Sequence, residues 1–120
     1  MIFEYELEEE VHFITIYFIG SLMEKYEAEN MLTEVNEAIL DGKNNFILNF
    51  KDFEYINSSG LNVLLNILTK SRNASGEAII CEVSEKLKRL FIITKLDAVF
   101  IQTSTLEEAK NKFNEKAQLP

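Results

Sequence analysis

The sequence predicts an α/β fold with a mixed β-sheet of about four or five strands, about four packed helices and an N-terminal β-hairpin. Near the N-terminus, apolar residues alternate with a period of two. Farther along, strand-like runs alternate with segments whose apolar residues recur every three or four positions. Right-handed crossovers between such elements make the later strands parallel. The 120 residues match a common domain size, so we expect one domain over residues 1–120.

The first two strands are expected to form the hairpin. In residues 3–7, aromatic and aliphatic side chains alternate with glutamate, which indicates a strand with one wet face. Residues 11–19 are nearly all apolar, β-branched or aromatic, which is typical of a strand covered on both faces. Gly20 and Ser21 are expected to end this second strand.

The central part of the chain predicts two helices around a short strand. The helical period starts near Met23 and ends at Asp41 and Gly42, where glycine can adopt the left-handed conformation that closes a helix. Residues 46–50 read as a buried strand. The second helix follows residues 57–60 and is unusually apolar, so we expect four of its side chains to be buried: Leu61, Leu64, Leu65 and Leu68.

The C-terminal part predicts strand, helix, strand and helix. Residues 78–83 read as a buried strand, and Ser84 can cap a short helix. A short last strand is expected at residues 99–101. Ser104 and Glu107 have the spacing of a capping box at the start of the final helix.

Composition argues against nucleic acid, membrane and metal ions as partners. Twenty acidic residues against twelve basic ones give a net charge of −8, which disfavours both nucleic acid and anionic membrane as partners. With a single cysteine and a single histidine, neither a disulfide framework nor a thiolate- or histidine-rich metal site is expected. We interpret Cys81 as a core residue and expect His12 either at the border of the core or on the hairpin surface. We expect no metal, no organic cofactor and a cytoplasmic protein.

Residues 57–61 carry the strongest functional signal. Two hydroxyl groups, those of Ser58 and Ser59, stand at the start of an apolar helix. The free backbone N–H groups and the helix dipole favour negative charge there, so a phosphate on either serine would be stabilised. The plainer alternative is that Asn57 or Ser58 only caps the helix.

These residues carry a resemblance to a known family. Asn57, Ser58, Ser59, Gly60 and Leu61 resemble the Asp-Ser-Ser/Thr-Gly-Leu-Gly motif of STAS-domain anti-sigma-factor antagonists. Asn57 stands in place of the motif's Asp, and Asn62 in place of its last Gly. Gly20, Ser21 and Leu22 are similar to the family's Gly-x-Leu/Ile-Asp motif, with Met23 at the acidic position. The resemblance covers essentially the whole chain, and implies a STAS-like fold.

The resemblance also implies a function. Such proteins bind a serine-kinase anti-sigma factor and release the sigma factor that it holds, and the kinase inactivates them by phosphorylating the first serine of the motif, here Ser58. A phosphoserine phosphatase would reverse this step. The expected partner-binding residues lie at the start of the second helix and after the second strand: Asn57, Ser58, Ser59, Gly60, Asn62, Ser21, Met23 and Tyr26.

Two other functions stay open at this point. The chain could be a STAS interaction module that works without phosphorylation, for example as an accessory subunit of a lipid-transport or signalling complex. A small enzyme with Ser58 as nucleophile lacks a credible base in the sequence. No glycine-rich phosphate loop followed by Lys and Ser or Thr is present either, so we expect a substrate of a kinase and no enzymatic activity.

Overall fold

A five-stranded mixed sheet forms the centre of the protein, with the strands in the order β1-β2-β3-β4-β5. The computed structural model describes residues 2–117. The edge strand β1 (Glu4–Glu9) pairs antiparallel with β2, and all later pairs are parallel. The remaining strands are β2 (Ile14–Leu22), β3 (Asn45–Ile56), β4 (Glu77–Cys81) and β5 (Ile101–Thr103). The predicted mixed sheet and N-terminal hairpin are therefore confirmed.

The helices cover the two faces of the sheet unequally. They are α1 (Glu29–Leu40), α2 (Ser58–Asn73), α3 (Glu85–Ile93) and α4 (Leu106–Ala117). Buried side chains of α1, α2 and α3 belong to one apolar cluster, whereas those of α4 belong to another. Three helices therefore pack on one face and α4 packs on the opposite face. Two short 3₁₀ helices, Lys25–Ala28 and Leu96–Ala98, precede α1 and β5.

The central strands are apolar on both faces because both faces are covered. In β3, Phe46 and Leu48 face the larger cluster, and Ile47 between them faces α4. The pattern repeats in β4, where Ile80 joins the larger cluster and Ile79 joins the smaller one. This explains the continuous apolar runs in the sequence, which differ from the alternation of a strand with one wet face.

The second strand differs from its predicted bounds at both ends. Val11 lies in the hairpin turn and is 88% exposed, so the strand begins at Ile14. The prediction that Gly20 and Ser21 end the strand is wrong, because pairing with β3 continues through both residues to Leu22. Gly20 has a φ of 83°, and the register of β2 on β3 shifts there, so glycine accommodates an irregularity inside the strand.

Other element boundaries also move. The helix predicted from Met23 starts as the 3₁₀ turn at Lys25 and becomes α-helical at Glu29. Strand β3 runs on past residue 50 to Ile56, β4 ends at Cys81 instead of residue 83, and β5 lies two residues after its predicted position. These shifts follow from pairing with neighbouring strands, which local sequence does not specify.

The predicted helix ends are confirmed in two cases and shifted in one. Gly42 has a φ of 88° directly after α1, and the Ser84 hydroxyl accepts a hydrogen bond from Leu87 N at 3.2 Å. The capping box at Ser104 and Glu107 is wrong by one residue. The Thr105 hydroxyl accepts from the backbone N–H of Glu108 at 3.1 Å and so caps α4 instead.

The burial of α2 is confirmed with one exception. Leu61, Leu64 and Leu68 are buried in the larger cluster, and Leu64 has no exposed surface. Leu65 is only partly buried and packs at the margin of this cluster. Val63 and Ile67 are buried as well, so Leu65 is the one predicted core residue of α2 that lies at the margin of the apolar stripe.

Candidate functional site

The candidate site lies where β2 and β3 end side by side. Leu22 and Ile56 are paired at the carboxyl ends of these parallel strands. After Leu22 the chain enters the turn that leads to α1, and after Ile56 it enters α2. The turn and the first turn of α2 are therefore neighbours, and loops at this edge of a parallel sheet commonly hold functional groups.

Asn57 joins these two segments. Its Oδ1 accepts a hydrogen bond from Gly60 N at 3.0 Å, which caps α2. Its Nδ2 donates to the backbone carbonyl of Met23 at 2.8 Å. One amide side chain thus caps the helix and links its start to the end of β2. An aspartate could accept the first hydrogen bond but could not donate the second.

Gly60 allows α2 to approach the sheet closely. A Cβ atom at this position would lie 2.6 Å from the carbonyl oxygen of Leu22 and would collide with the side chain of Ile56. Any larger residue would push the first turn of α2 away from the strand ends. The glycine of the motif is therefore required by packing.

Ser58 is the first residue of α2, and its side chain is exposed. Within residues 2–117 its hydroxyl has no hydrogen-bond partner, since the capping role belongs to Asn57. The first turn of α2 contains no acidic residue, so nothing there offsets the positive end of the helix dipole. The hydroxyl is thus open to a reacting group, in surroundings that favour an added negative charge.

A cavity of about 210 Å³ lies beside this turn. Its polar lining combines the predicted residues Ser59 and Asn62 with Lys25, which lies between the predicted Met23 and Tyr26, and with Asn66, which the sequence analysis missed. Positions 59, 62 and 66 are three and four residues apart on one helix face, and this spacing was the available signal for Asn66. Lys25 reaches the cavity from the 3₁₀ turn before α1, and no local pattern connects it to α2.

The segment between β2 and α1 is held in place by Glu27. Its carboxylate accepts hydrogen bonds from Glu24 N at 3.0 Å and Met23 N at 3.2 Å. Two apolar side chains remain accessible on this segment, since Met23 is 39% and Tyr26 is 70% exposed. Ser21, which was expected after the second strand, does not belong to this segment. It lies within β2, where it is paired with Tyr55 of β3.

Two residues interpreted as structural lie apart from this site. Cys81 is fully buried, and burial, with a smaller effect of Glu82, raises the pKa of its thiol to about 12. The thiol is therefore protonated and unreactive near neutral pH. His12 is exposed in the hairpin turn, where its backbone carbonyl accepts a hydrogen bond from Asn45 Nδ2 at 3.4 Å.

Comparison with known protein families shows which family this chain belongs to. A family model described as the STAS domain matches residues 4–109, which includes both segments of the candidate site. The chain belongs to the STAS domain family. In this STAS domain, the turn Asn57–Gly60 at the start of α2 lies beside the turn at Met23 after β2. The hydrogen bond from Asn57 to Met23 holds the two turns together.

Two curated relatives are similar to this STAS domain over most of their length. BtrV of Bordetella bronchiseptica is named as a candidate anti-sigma factor antagonist and is 28% identical over 93 residues, which cover 78% of each chain. A protein of Thermotoga maritima with a similar name is 30% identical over 81 residues, which cover 68% of this chain and 72% of the relative.

Solved structures show the same fold. The anti-sigma factor antagonist SpoIIAA in its unphosphorylated form superposes with a TM-score of 0.73 at 19% identity, covering 97% of this chain and all of that chain. A Bacillus SpoIIAA structure in the phosphorylated form has a TM-score of 0.71 at 22% identity, covering 91% of this chain and 98% of that chain. The five-stranded sheet with its four helices is therefore the architecture of SpoIIAA.

Residues 2–117 offer neither a membrane-spanning helix nor a cluster of metal-binding side chains. None of the helices in this range is long and apolar enough to cross a membrane. In the same range, no three side chains of His, Cys, Asp or Glu come together as a group that could hold a metal ion.

Proposed function

We propose that this STAS domain is an anti-sigma-factor antagonist. It binds a serine-kinase anti-sigma factor, so that the sigma factor held by that kinase is released, and phosphorylation of Ser58 ends the binding. The observation that supports this best is the exposed Ser58 hydroxyl at the start of α2, in a turn already fixed by Asn57. The names of the relatives BtrV and SpoIIAA support the choice of partner.

The proposed switch works through charge. A phosphoserine carries about −1.5 to −2 charges at neutral pH. At a packed interface such a group must be paired, or it costs free energy through desolvation and repulsion. The helix dipole would stabilise the phosphate in the free protein, whereas burial against the kinase would remove its water, so one modification favours the unbound state.

The proposed binding surface surrounds Ser58. Asn57, Ser59, Gly60 and Asn62 supply the turn and the adjacent polar side chains, and Ser21, Met23 and Tyr26 come from the end of β2 and the turn after it. Tyrosine and methionine are enriched at protein interfaces, and both side chains are accessible here. In this proposal the domain, residues 1–120, acts in the cytoplasm, is a substrate of the kinase without enzymatic activity of its own, and is restored by a phosphoserine phosphatase.

Phosphorylation is tested by incubating the protein with a serine kinase of the anti-sigma type and ATP. We expect a mass increase of one phosphate in the unmodified protein and none in Ser58→Ala. Titration calorimetry should show that Ser58→Ala binds the kinase like the parent, whereas Ser58→Asp binds at least about tenfold more weakly, about 1.4 kcal/mol.

Ser104→Asp is the matched control, since it adds the same charge at another exposed serine. It should bind like the parent. Equal affinity for all four proteins, with no mass change, would leave Ser58 without a role as a switch. That result would favour the STAS interaction module that works without phosphorylation.

A further inference from the structure

A groove between α3 and the end of β3 has no part in the proposed switch. Its volume is about 260 Å³, and it is lined by Tyr55, Leu87, Leu90 and Ile93 together with Lys86 and Arg89. An engineered protein cavity of about 150 Å³ can hold benzene, so this α3 groove has room for one aromatic or branched aliphatic side chain.

Two of the side chains that line the groove, those of Ile93 and Tyr55, are open to solvent, whereas Leu87 is buried and Leu90 is partly buried. Ile93 is 78% exposed, its neighbour Ile92 is 61% exposed and Tyr55 is 39% exposed. Single exposed apolar residues are ordinary on a protein surface. Adjacent exposed apolar residues that border a concavity, with charged residues at its rim, are typical of a site where another molecule binds.

The rim of the groove is basic although the chain is strongly acidic. Lys86 places its Nζ 4.9 Å from the centroid of the Tyr55 ring. Among the described residues, no carboxylate lies within ion-pair distance of Lys86 or Arg89, and the nearby Glu85 pairs with Lys88. Two cationic groups are therefore available beside an apolar surface, in a chain whose net charge is −8.

We propose that the α3 groove binds a segment of a partner protein in which a large apolar side chain is flanked by carboxylates. The apolar side chain would pack between Tyr55 and Ile93. The carboxylates would pair with Lys86 and Arg89, and the guanidinium of Arg89 can hold one of them through two parallel hydrogen bonds. Charge complementarity selects this occupant, since an acidic segment is repelled by the rest of the surface and attracted here.

An anionic membrane surface is the competing occupant, because basic and apolar side chains also occur together on membrane-binding helices. Two features of this protein disfavour it. An extended anionic lipid surface faces the net charge of −8 of the whole chain, whereas a short acidic segment faces mainly Lys86 and Arg89; the apolar residues also line a concavity, which suits an inserted side chain better than a flat lipid surface. The proposal does not depend on phosphorylation of Ser58 or on the identity of the kinase.

The test is an NMR titration of the isotope-labelled protein with a panel of short synthetic peptides. Each peptide carries Leu, Phe or Trp between glutamates, and each has a matched peptide with lysines in place of the glutamates. We expect saturable shifts at Tyr55, Lys86, Arg89 and Ile93 with a Kd below about 1 mM for at least one acidic peptide. The lysine peptides should cause no such shifts.

Variants of the α3 groove test its basic rim and its apolar lining separately. Lys86→Glu combined with Arg89→Glu should weaken binding at least tenfold, and Ile93→Ser should weaken it several-fold; all three side chains are exposed, so the fold should persist. Lys112→Glu, at an exposed lysine of α4, is the matched control and should bind like the parent. The proposal is overturned if no acidic peptide binds, if lysine peptides bind equally, if the shifts lie elsewhere, or if phosphatidylserine vesicles bind in place of the peptides.

Discussion

Replacing Asn57 with alanine would remove the link between α2 and the end of β2. The side chain makes two hydrogen bonds, from Gly60 N and to Met23 O, at 3.0 and 2.8 Å. Loss of a helix cap costs about 1 kcal/mol, and a further hydrogen bond contributes about 0.5 to 1.5 kcal/mol. We therefore expect Asn57→Ala to lower the free energy of unfolding by about 2 kcal/mol.

Asn57→Asp should have a smaller effect. The carboxylate still accepts from Gly60 N, and a negative charge at the helix start contributes about 0.3 to 1 kcal/mol. It cannot donate to Met23 O, and at neutral pH it places a charged oxygen near that carbonyl oxygen. These opposing effects should leave the variant less stable than the parent by no more than about 1 kcal/mol.

Urea denaturation followed by circular dichroism measures both variants. Asn62→Ala is the matched control, because it makes the same substitution in α2 at an exposed side chain without a hydrogen bond to any described residue. It should change stability by less than about 0.5 kcal/mol. If Asn57→Ala is no less stable than Asn62→Ala, the bonds of Asn57 do not hold the site together. If Asn57→Asp is more stable than the parent, the bond to Met23 O contributes less than a negative charge at the helix start.

Other variants test the core, the buried thiol, the edge strand and the switch. Leu64→Ala should cost about 2 to 5 kcal/mol in urea melts, and a loss below about 0.5 kcal/mol would show that α2 is not core. Cys81 should resist iodoacetamide at about pH 8 until the protein is unfolded, and fast alkylation of the native protein would contradict its burial. Burial and a hydrogen bond to Glu34 raise the pKa of Tyr5 from 10.0 to about 12, so stability should fall as pH rises between these values, and Tyr5→Phe should lack that part of the decline. In steady-state assays with one kinase, Asn57→Asp should be phosphorylated faster than the parent if an acidic residue before Ser58 helps to orient its hydroxyl. An unchanged or lower rate would mean that the amide already fills this role.

The start of α2 was predictable because its signals are local. A capping residue, two serines and a glycine precede a helical apolar period within a few positions, and the hydrogen bond that caps the helix spans only residues 57–60. The same holds for Gly42 and Ser84 at other helix ends. Ser104 and Thr105 show the limit of such patterns, since two adjacent hydroxyl residues fit a cap equally well and the structure uses the second.

The bounds of the strands were less predictable because pairing decides them. Gly20 looks like a strand breaker, yet β3 supplies partners for β2 as far as Leu22, and the irregularity is absorbed within the pair. The position of β5 depends in the same way on its register with β4. The hydrogen-bonding partners of these strands lie far away in the sequence, so their ends are not encoded locally.

The sequence by itself determined the order and type of the elements, the apolar character of α2 and the position of Ser58 at a helix start, since periodicity and capping act within a few residues. Only the tertiary structure decided which distant groups surround that serine. It placed the carbonyl of Met23 2.8 Å from the amide of Asn57, and it brought Lys25 to a cavity shared with Asn66. These contacts join segments that are separated by α1 and β3 in the chain, and they exist because parallel pairing aligns the ends of β2 and β3.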